Sequence, residues 1–506
     1  MASRVDYGFS FGVRGRSARP RADGERLRIL VVSDLRGAGR AAFDPAAPLA
    51  SARVQRLGID NFDQLFAQLA PGVELGSRGG EGASRVAFSE LADFHPDALY
   101  DSLEVLKALR ASRARLSEPS TFAGERARLL ADQPAAAPAT DARVAPPAGG
   151  DESTASTLGR LLGGPVARPA VSSPVSAIDQ LLAKIVAPHV TASLPEQAQL
   201  IGSVDAAISS ELRAVLHDPA FQRLEGSWRA LDWLVRENAL GDELELSILD
   251  ASRAQLLADL AACGGQLERS ALYRLIVERE VAAPAGRSIA LIVGDFYVDG
   301  SESDVPLLAG MGALAAHAGG ALIAGAQPSL IGAGDLSGDA HWSSWGEPGE
   351  QEHERMALLR KSPVAPFVGL AMPRLLGRVP YGMRSDPIER LPFEELLAGA
   401  EHEHYLWINP AFGCAQLLAA SFAEEGWDLR LGSALELASL PLAAQLGPDG
   451  ERIKPCAEVC LDASSAERVL GHGLMPWLSY RDRNAARLLR FQSIAEPAAP
   501  LSGPWS

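Results

Sequence analysis

The chain has 506 residues, 47% of them hydrophobic, and it carries 47 basic against 63 acidic side chains, for a net charge of −16. That length exceeds what one hydrophobic core holds and predicts two or three domains. The acidic surface disfavours nucleic-acid backbones and anionic membranes as partners, and no apolar run reaches the roughly 20 residues of a membrane-spanning helix. Four scattered cysteines and the lack of an apolar signal segment predict a cytoplasmic protein.

The first 24 residues predict an N-terminal arm that contains one strand. Its large apolar side chains occupy every second position: Val5, Tyr7, Phe9 and Phe11. A period of two is typical of a strand, and the Arg- and Pro-containing stretch that follows separates this one from the folded body. A strand without a local partner pairs at a distance or with another chain. The alternative is an unstructured tail with a few aromatic side chains.

Residues 25–130 predict a small α/β domain. The segment Arg28–Asp34 is a short apolar run of the kind found in buried strands, and Val86–Phe88 predicts a second strand. One helix is predicted to open at Asp60. Another is predicted to open at Pro96, where leucines then recur at three- and four-residue steps.

Residues 131–190 predict a linker followed by a short helix. The linker, residues 131–175, is rich in Ala, Pro, Gly and Ser and cannot bury enough apolar surface to offset the entropy lost on ordering. Residues 176–190 predict an amphipathic helix whose apolar stripe consists of Ile178, Leu181, Leu182, Ile185 and Val186. A helix of about ten residues is marginal alone, so this stripe must pack either on its own domain or in a groove of another protein.

Residues 191–506 predict a larger α/β domain. Six short apolar runs predict strands, and helical patterns lie between them, which indicates a mainly parallel sheet covered by helices on both faces. The runs are 244–249, 289–294, 321–324, 367–370, 405–408 and 458–461. Ahead of them, a predicted helix carries Glu225 and Arg229 at the spacing of an ion pair.

The sequence lacks the common catalytic motifs, which favours a protein that is not an enzyme. Neither a phosphate-binding loop nor a nucleophile elbow occurs in the sequence. Gly310 and Gly312 lie about fifteen residues after the nearest predicted strand, so they indicate a tightly packed helix and not a dinucleotide site. Cys456 and Cys460, on a predicted strand, would lie about 13 Å apart, which is too far for one zinc ion.

Two polar segments carry side chains that could act in catalysis or bind a metal. Residues 401–404, Glu-His-Glu-His, predict a solvated polar turn, with a metal site as the alternative. Asp295 ends a predicted strand, where α/β proteins often place functional carboxylates. It has no identifiable partner in the sequence, and a helix-capping role is predicted for it. The sequence therefore predicts no catalytic residue, no cofactor and no metal ligand.

Two blocks of the sequence resemble the subunits of the contractile sheath of type VI secretion. The first resembles the small sheath subunit over residues 28–37, 60–71 and 88–97, most clearly in LADFHPD at 91–97. The second resembles the large sheath subunit over residues 178–495. Its markers occur in order as HDP at 217–219, GDF at 294–296, GLAMPR at 369–374, LW at 406–407 and NPAF at 409–412.

The resemblance implies two α/β domains joined by a long flexible linker, with an N-terminal strand for exchange between subunits. The segments are an arm at 1–24, a small-subunit-like domain at 25–130, a linker at 131–175, an amphipathic helix at 176–190 and a large-subunit-like domain at 191–506. The last of these is expected to lack a C-terminal segment of the family that contains a His-Tyr-Leu-Lys motif.

The resemblance also implies a structural subunit that polymerises around an inner tube and contracts to deliver effectors. The implied partners are further copies in a helical polymer, the inner tube protein, baseplate proteins and an AAA+ unfoldase, without nucleic acid or membrane insertion. The stripe from Ile178 to Val186 is then the unfoldase-binding helix, and the segment from Val5 to Phe11 the inter-subunit strand. The alternatives are an accessory sheath-like protein that does not polymerise and an α/β enzyme that binds a nucleotide or a metal.

Overall fold

The computed structural model describes residues 26–37, 49, 52–75, 84–131, 197–241, 243–282, 287–334, 336, 341–447, 450–481 and 483–505. The chain divides into two compact units, one of residues 1–99 with 212–506 and one of residues 100–211. The predicted arm, the linker beyond residue 131 and the helix at 176–190 lie outside the described residues. No helix among the described residues is long and apolar enough to cross a membrane.

The strands of the structure follow in chain order. They are β1 (Leu27–Ser33), β2 (Gln55–Leu57), β3 (Gly72–Leu75), β4 (Ser84–Ala87), β5 (Leu244–Asp250), β6 (Leu291–Val298), β7 (Ala321–Ala326), β8 (Val368–Met372), β9 (Leu375–Leu376), β10 (Trp407–Ile408), β11 (Glu436–Leu437), β12 (Ala443–Gly447), β13 (Gly450–Lys454), β14 (Met475–Ser479) and β15 (Ala486–Leu488).

The helices are distributed between these strands. They are α1 (Phe62–Leu69), α2 (Pro96–Ser102), α3 (Glu104–Ser117), α4 (Pro119–Ala131), α5 (Gln197–Leu216), α6 (Pro219–Glu237), α7 (Arg253–Ala262), α8 (Ala271–Tyr273, continuing as a π-helical segment at Arg274–Val281), α9 (Asp304–Ala318), α10 (Glu350–Arg360), α11 (Pro410–Glu425) and α12 (Ala463–Gly471).

One sheet of nine strands forms the centre of the larger unit, in the order β11-β15-β14-β8-β7-β6-β1-β5-β2. The six strands from β14 to β5 pair in parallel, whereas β2, β15 and β11 add antiparallel edges. Helices cover this sheet, and the predicted α/β class with a mainly parallel sheet is confirmed. Among the paired strands, β9–β10, β12–β13 and β3–β4 form separate two-stranded sheets.

Strand β1 occupies a central position in the sheet. It pairs with β5 along seven residues, from Leu27 opposite Leu244 to Ser33 opposite Asp250, and with β6 on its other side. Every residue of β1 is buried, as expected of a continuous apolar run in a parallel sheet. The sequence predicts this strand as part of a smaller domain, but the structure places it between β5 and β6, which follow more than 200 residues later.

The small residues of α9 explain its position. The helix is buried on nearly all sides, which is typical of a helix that is apolar all round. A Cβ atom at Gly310 would lie 2.6 Å from Leu260, and one at Gly312 would lie 2.5 Å from Val368. The prediction of a tightly packed helix in place of a dinucleotide fingerprint is therefore confirmed.

Two predicted strands are wrong or shorter than expected. Residues 458–461 do not form a strand, because the backbone and the side chain of Glu458 are hydrogen-bonded to Arg374. The place beside β8 in the sheet is taken by β14. The predicted strand at 405–408 shrinks to Trp407–Ile408, which pairs with β9 outside the large sheet.

The smaller unit is helical and has its own polar contacts. Glu125 on α4 is buried and accepts hydrogen bonds from Ser112 Oγ at 2.7 Å and from Arg115 Nε at 2.6 Å, both on α3. Arg113 on α3 pairs with Asp205 on α5. These bonds join three helices of the unit through charged groups, and each helix also buries at least one leucine: Leu109 on α3, Leu129 on α4 and Leu200 on α5.

Candidate functional site

The residues predicted to act in assembly and recycling lie outside the described part of the chain. They are Val5, Tyr7, Phe9 and Phe11 of the inter-subunit strand, and Ile178, Leu181, Leu182, Ile185 and Val186 of the unfoldase-binding helix. Both assignments stay predictions. Within the described residues, three polar clusters of the larger unit are the candidates for a functional site.

The first cluster lies at the carboxyl ends of the central strands, around Asp295. This residue lies inside β6, and its Oδ2 atom accepts hydrogen bonds from Ser33 Oγ at 2.7 Å and from Ser227 Oγ at 2.5 Å. Burial raises the pKa of the Asp295 carboxyl, while both hydroxyl groups oppose the shift. The predicted capping role is wrong, because β6 continues to Val298 and both hydroxyl partners come from other elements.

Two further carboxylates follow the neighbouring strands. Asp250 Oδ1 accepts the Leu35 N–H at 3.0 Å, and its Oδ2 lies 2.7 Å from Arg36 Nε. Asp34 Oδ1 accepts the Gly37 N–H at 3.2 Å. Burial raises the pKa of both carboxyls, that of Asp250 to about 6. Open α/β sheets place ligands at this edge, but here each carboxylate is bonded to the loop after β1.

The second cluster is a buried ion network. Glu225 accepts hydrogen bonds from Arg229 Nε and Arg378 Nε, each at 2.7 Å, and its side chain is fully buried. Arg378 also pairs with Glu395 at 2.7 Å, and Arg229 donates to the Tyr381 hydroxyl at 2.8 Å. The Glu225–Arg229 pair predicted from its spacing is confirmed. The structure adds the partners from the loop that follows β9.

Charge balance explains how these ionised groups are accommodated in a buried environment. Burial alone would raise the pKa of Glu225, but Arg378 and Arg229 hold it below its ordinary value. Two guanidinium groups face two carboxylates, so the network carries no net charge when all four groups are ionised. Such a network fixes geometry and supplies no acid or base for chemistry, because each charged form is stabilised by its neighbours.

The third cluster surrounds the turn at residues 401–404. His402 is 6% exposed, its Nδ1 lies 3.0 Å from Lys454 Nζ, and its Nε2 lies 3.1 Å from Glu458 Oε1. Its ring stacks on Trp407, with centroids 5.0 Å apart. The prediction of a solvated turn holds for Glu401 and Glu403, which are exposed. It does not hold for the His402 side chain, because the end of β13 and the segment after it cover that ring.

This cluster contains the metal-site alternative raised from the sequence. Among the described residues, one group could bring three metal-ligating atoms within 4.8 Å of one another: His402, Glu403 and Glu458. The Arg374 guanidinium already bridges the two carboxylates, lying 2.6 Å from Glu403 Oε1 and bonded to Glu458. Burial opposes ionisation, yet His402 and Arg374 lower the pKa of Glu458 to about 2. A divalent ion would have to displace this guanidinium, so the residues present do not favour one.

The distant partners in all three clusters could not be predicted from the sequence. Glu225 and Arg378 are 153 positions apart, and Ser33 and Asp295 are 262 apart, so no local pattern connects them. The sequence did contain one indication that Arg374 has a structural role: it lies two residues after an apolar strand, inside the GLAMPR marker of the sheath resemblance.

Comparisons with known proteins give one consistent result. The family model described as EvpB/VC_A0108, tail sheath N-terminal domain, matches residues 198–495. The type VI secretion system sheath protein TssC1 of Pseudomonas aeruginosa is 29% identical over 311 residues, which cover 59% of this chain. The aligned region spans 61% of the length of that curated relative.

Proposed function

Because the chain belongs to the EvpB/VC_A0108 tail sheath family, we propose that it is a structural subunit of the type VI secretion contractile sheath. The observation that carries this proposal is the family match over residues 198–495, which is more than half of the chain. The polar clusters support a structural role, since their charged groups bond to one another and hold loops against the sheet.

We propose further that the subunits polymerise into a helical tube around an inner tube and contract to drive effector delivery. An open filament needs contacts between two different surfaces of the subunit, because a rotation that closes would give a ring. The energy for contraction would come from a metastable packing of the subunits that is established when the sheath assembles. The subunit itself would then need no catalytic residue. Baseplate proteins and an AAA+ unfoldase complete the proposed set of partners, in the cytoplasm.

The fusion of two sheath subunits in one chain is part of the same proposal. The small-subunit-like segment 25–130 and the large-subunit-like segment 191–506 would act in a one-to-one ratio, joined by residues 131–175. Its support is the position of β1, which belongs to the first segment and pairs with β5 and β6 of the second. A strand paired on both sides and fully buried acts as part of one folding unit.

Electron microscopy of the purified chain with its inner tube and baseplate proteins tests the function. We expect tubes or sheets whose formation depends on chain concentration. Persistent monomers that still bind the inner tube or baseplate would favour the accessory alternative and contradict polymerisation. A thermal-shift screen with nucleotides and divalent metals tests the enzyme alternative, because a ligand that binds only the native state raises the melting temperature.

A further inference from the structure

A tight turn in the larger unit presents an apolar side chain and a cation to the solvent. Residues 383–387 are all exposed, and Met383 at the tip is 60% exposed. Arg384 beside it is exposed too, and within the described residues it has no ion-pair partner. We call residues 382–386 the Met383 turn.

The Met383 turn is held rigidly at its base. The Gly382 N–H donates to the Asp386 carbonyl at 2.9 Å, and the Met383 N–H donates to Glu394 Oε1 at 3.2 Å. Directly before the turn, Tyr381 joins the buried ion network through its hydroxyl and its backbone N–H. Because the backbone of the turn is already hydrogen-bonded, a partner that covers it orders mainly the exposed side chains, and the entropy cost of docking is smaller than for an open loop.

A pocket elsewhere on the same unit has room for one apolar side chain. It measures about 110 Å³ and is bounded by α10 and by the segments before β14 and after β15. Its floor is apolar, formed by Leu330, Met356 and Leu474. Methionine is unbranched and adapts to irregular apolar spaces, so a pocket of this size suits one such side chain.

One carboxylate at the edge of the pocket is available to the Arg384 guanidinium. Glu496 lines the pocket, is exposed, and has no ion-pair partner among the described residues. The other lining carboxylate, Glu352, pairs with Arg355 at 2.8 Å. The lining guanidinium of Arg360 donates to the carbonyls of Ile494 and Gly471. Glu496 therefore offers a carboxylate to an incoming cation.

We propose that the Met383 turn of one copy docks at this pocket of a second copy, with Met383 in the pocket and Arg384 paired to Glu496. The contact joins two different surfaces of the chain, which is the kind of contact that extends an open filament. It rests on the proposed sheath function, since it needs copies that meet in a polymer. It adds the residues by which two copies recognise each other.

Charge reversal in the full-length chain tests the ion pair. R384E and E496R should each reduce the sedimentable assembly about tenfold or more, because each sets two like charges against each other at the contact. The double variant R384E/E496R should restore assembly to within about twofold of the unmodified chain, because the pair is rebuilt with reversed signs. The control R481E alters another exposed arginine and should leave assembly unchanged. Melting temperatures of all variants should match that of the unmodified chain.

Cross-linking tests the apolar part independently of charge. One copy carries M383C and one tag, and the other copy carries A357C and a different tag. Because Ala357 lines the pocket, the two copies should form a disulfide-linked pair when they are mixed under mild oxidation. Copies carrying I59C, another exposed apolar position, should not link to A357C.

The possible outcomes separate this contact from the sheath function. Assemblies that form without the cross-link, or without rescue by the double variant, overturn the contact and leave the sheath function standing. A loss of tube or baseplate binding in R384E alone would show that the turn docks on another protein. Failure of the unmodified chain to assemble would overturn both proposals.

Discussion

Arg378 and Glu225 lie 2.7 Å apart in an environment where the two side chains are 8% and 0% exposed. Removing Arg378 leaves two buried carboxylates, those of Glu225 and Glu395, facing the single guanidinium of Arg229, and breaking a buried pair in this way typically costs about 3–5 kcal/mol. We therefore expect Arg378→Met to lower the free energy of unfolding by about that amount in urea denaturation. The control Arg236→Met breaks the exposed pair with Asp232 and should cost less than about 1 kcal/mol. Equal effects of the two substitutions would contradict the role assigned to the network.

Packing around α9 gives a second prediction. A Cβ atom at Gly312 would lie 2.5 Å from Val368 Cγ2, so Gly312→Ala should overpack the core and cost about 1–3 kcal/mol. Gly202 also lies in a helix, but a Cβ atom there meets nothing within 4 Å. Gly202→Ala should therefore be neutral or stabilise by up to about 1 kcal/mol. Calorimetry of both variants decides whether close packing explains the glycine in α9; a stabilised Gly312→Ala variant would show that it does not.

The pKa of Asp250 predicts a pH dependence of stability. Because burial raises this pKa from 3.8 to about 6, the folded state holds the proton more tightly than the unfolded state does. The contribution of the protonated Asp250 carboxyl to the free energy of unfolding is therefore fully present below about pH 4 and is lost as the pH rises towards 6. Asp250→Asn should remove this pH dependence. The free energy of unfolding of the unmodified chain, minus that of the variant, should therefore decrease as the pH is raised from 4 to 6.

The matched control for Asp250 is Asp63→Asn, which changes an exposed carboxylate on α1. Its stability relative to the unmodified chain should stay nearly constant over the same range. Urea denaturation at pH 4, 5, 6 and 7 provides the measurement. A constant difference for Asp250→Asn would show that the carboxyl is not protonated in the folded state at pH 5.

The sequence predicted elements that depend on local spacing and missed arrangements that depend on distant residues. The strands at 244–249 and 321–324 were found because apolar runs reveal them, and Glu225 with Arg229 was found because four-residue spacing places both on one helix face. The position of β1 was missed because nothing local indicates which strands will flank it. The burial of His402 was missed for the same reason, since its cover comes from residues near 454.

The amphipathic helix proposed at 176–190 gives a prediction about recycling. Replacing Leu181, Leu182 and Ile185 by Ser should abolish binding to the AAA+ unfoldase while the melting temperature stays unchanged, because a stripe that serves a partner contributes little to its own fold. If the stripe packs on its own domain, three such truncations should instead cost several kcal/mol. Binding by fluorescence anisotropy and melting by calorimetry distinguish the two, and undiminished binding would contradict the proposed handle.

The position of β1 predicts how the chain behaves when it is cut in the linker. Fragments 1–150 and 151–506, expressed together with a tag on one, should co-purify in a one-to-one ratio, because β1 pairs with β5 along seven residues and with β6 along four. Fragment 151–506 alone should aggregate, because β5 and β6 would each expose a strand edge that β1 covers in the intact chain. Val31→Asp in the smaller fragment should abolish co-purification, since this side chain is 0% exposed, whereas Ile59→Asp at a 67% exposed position should not. A larger fragment that is soluble alone and melts like the intact chain would contradict the fusion proposal, because the two segments would then be separate folding units.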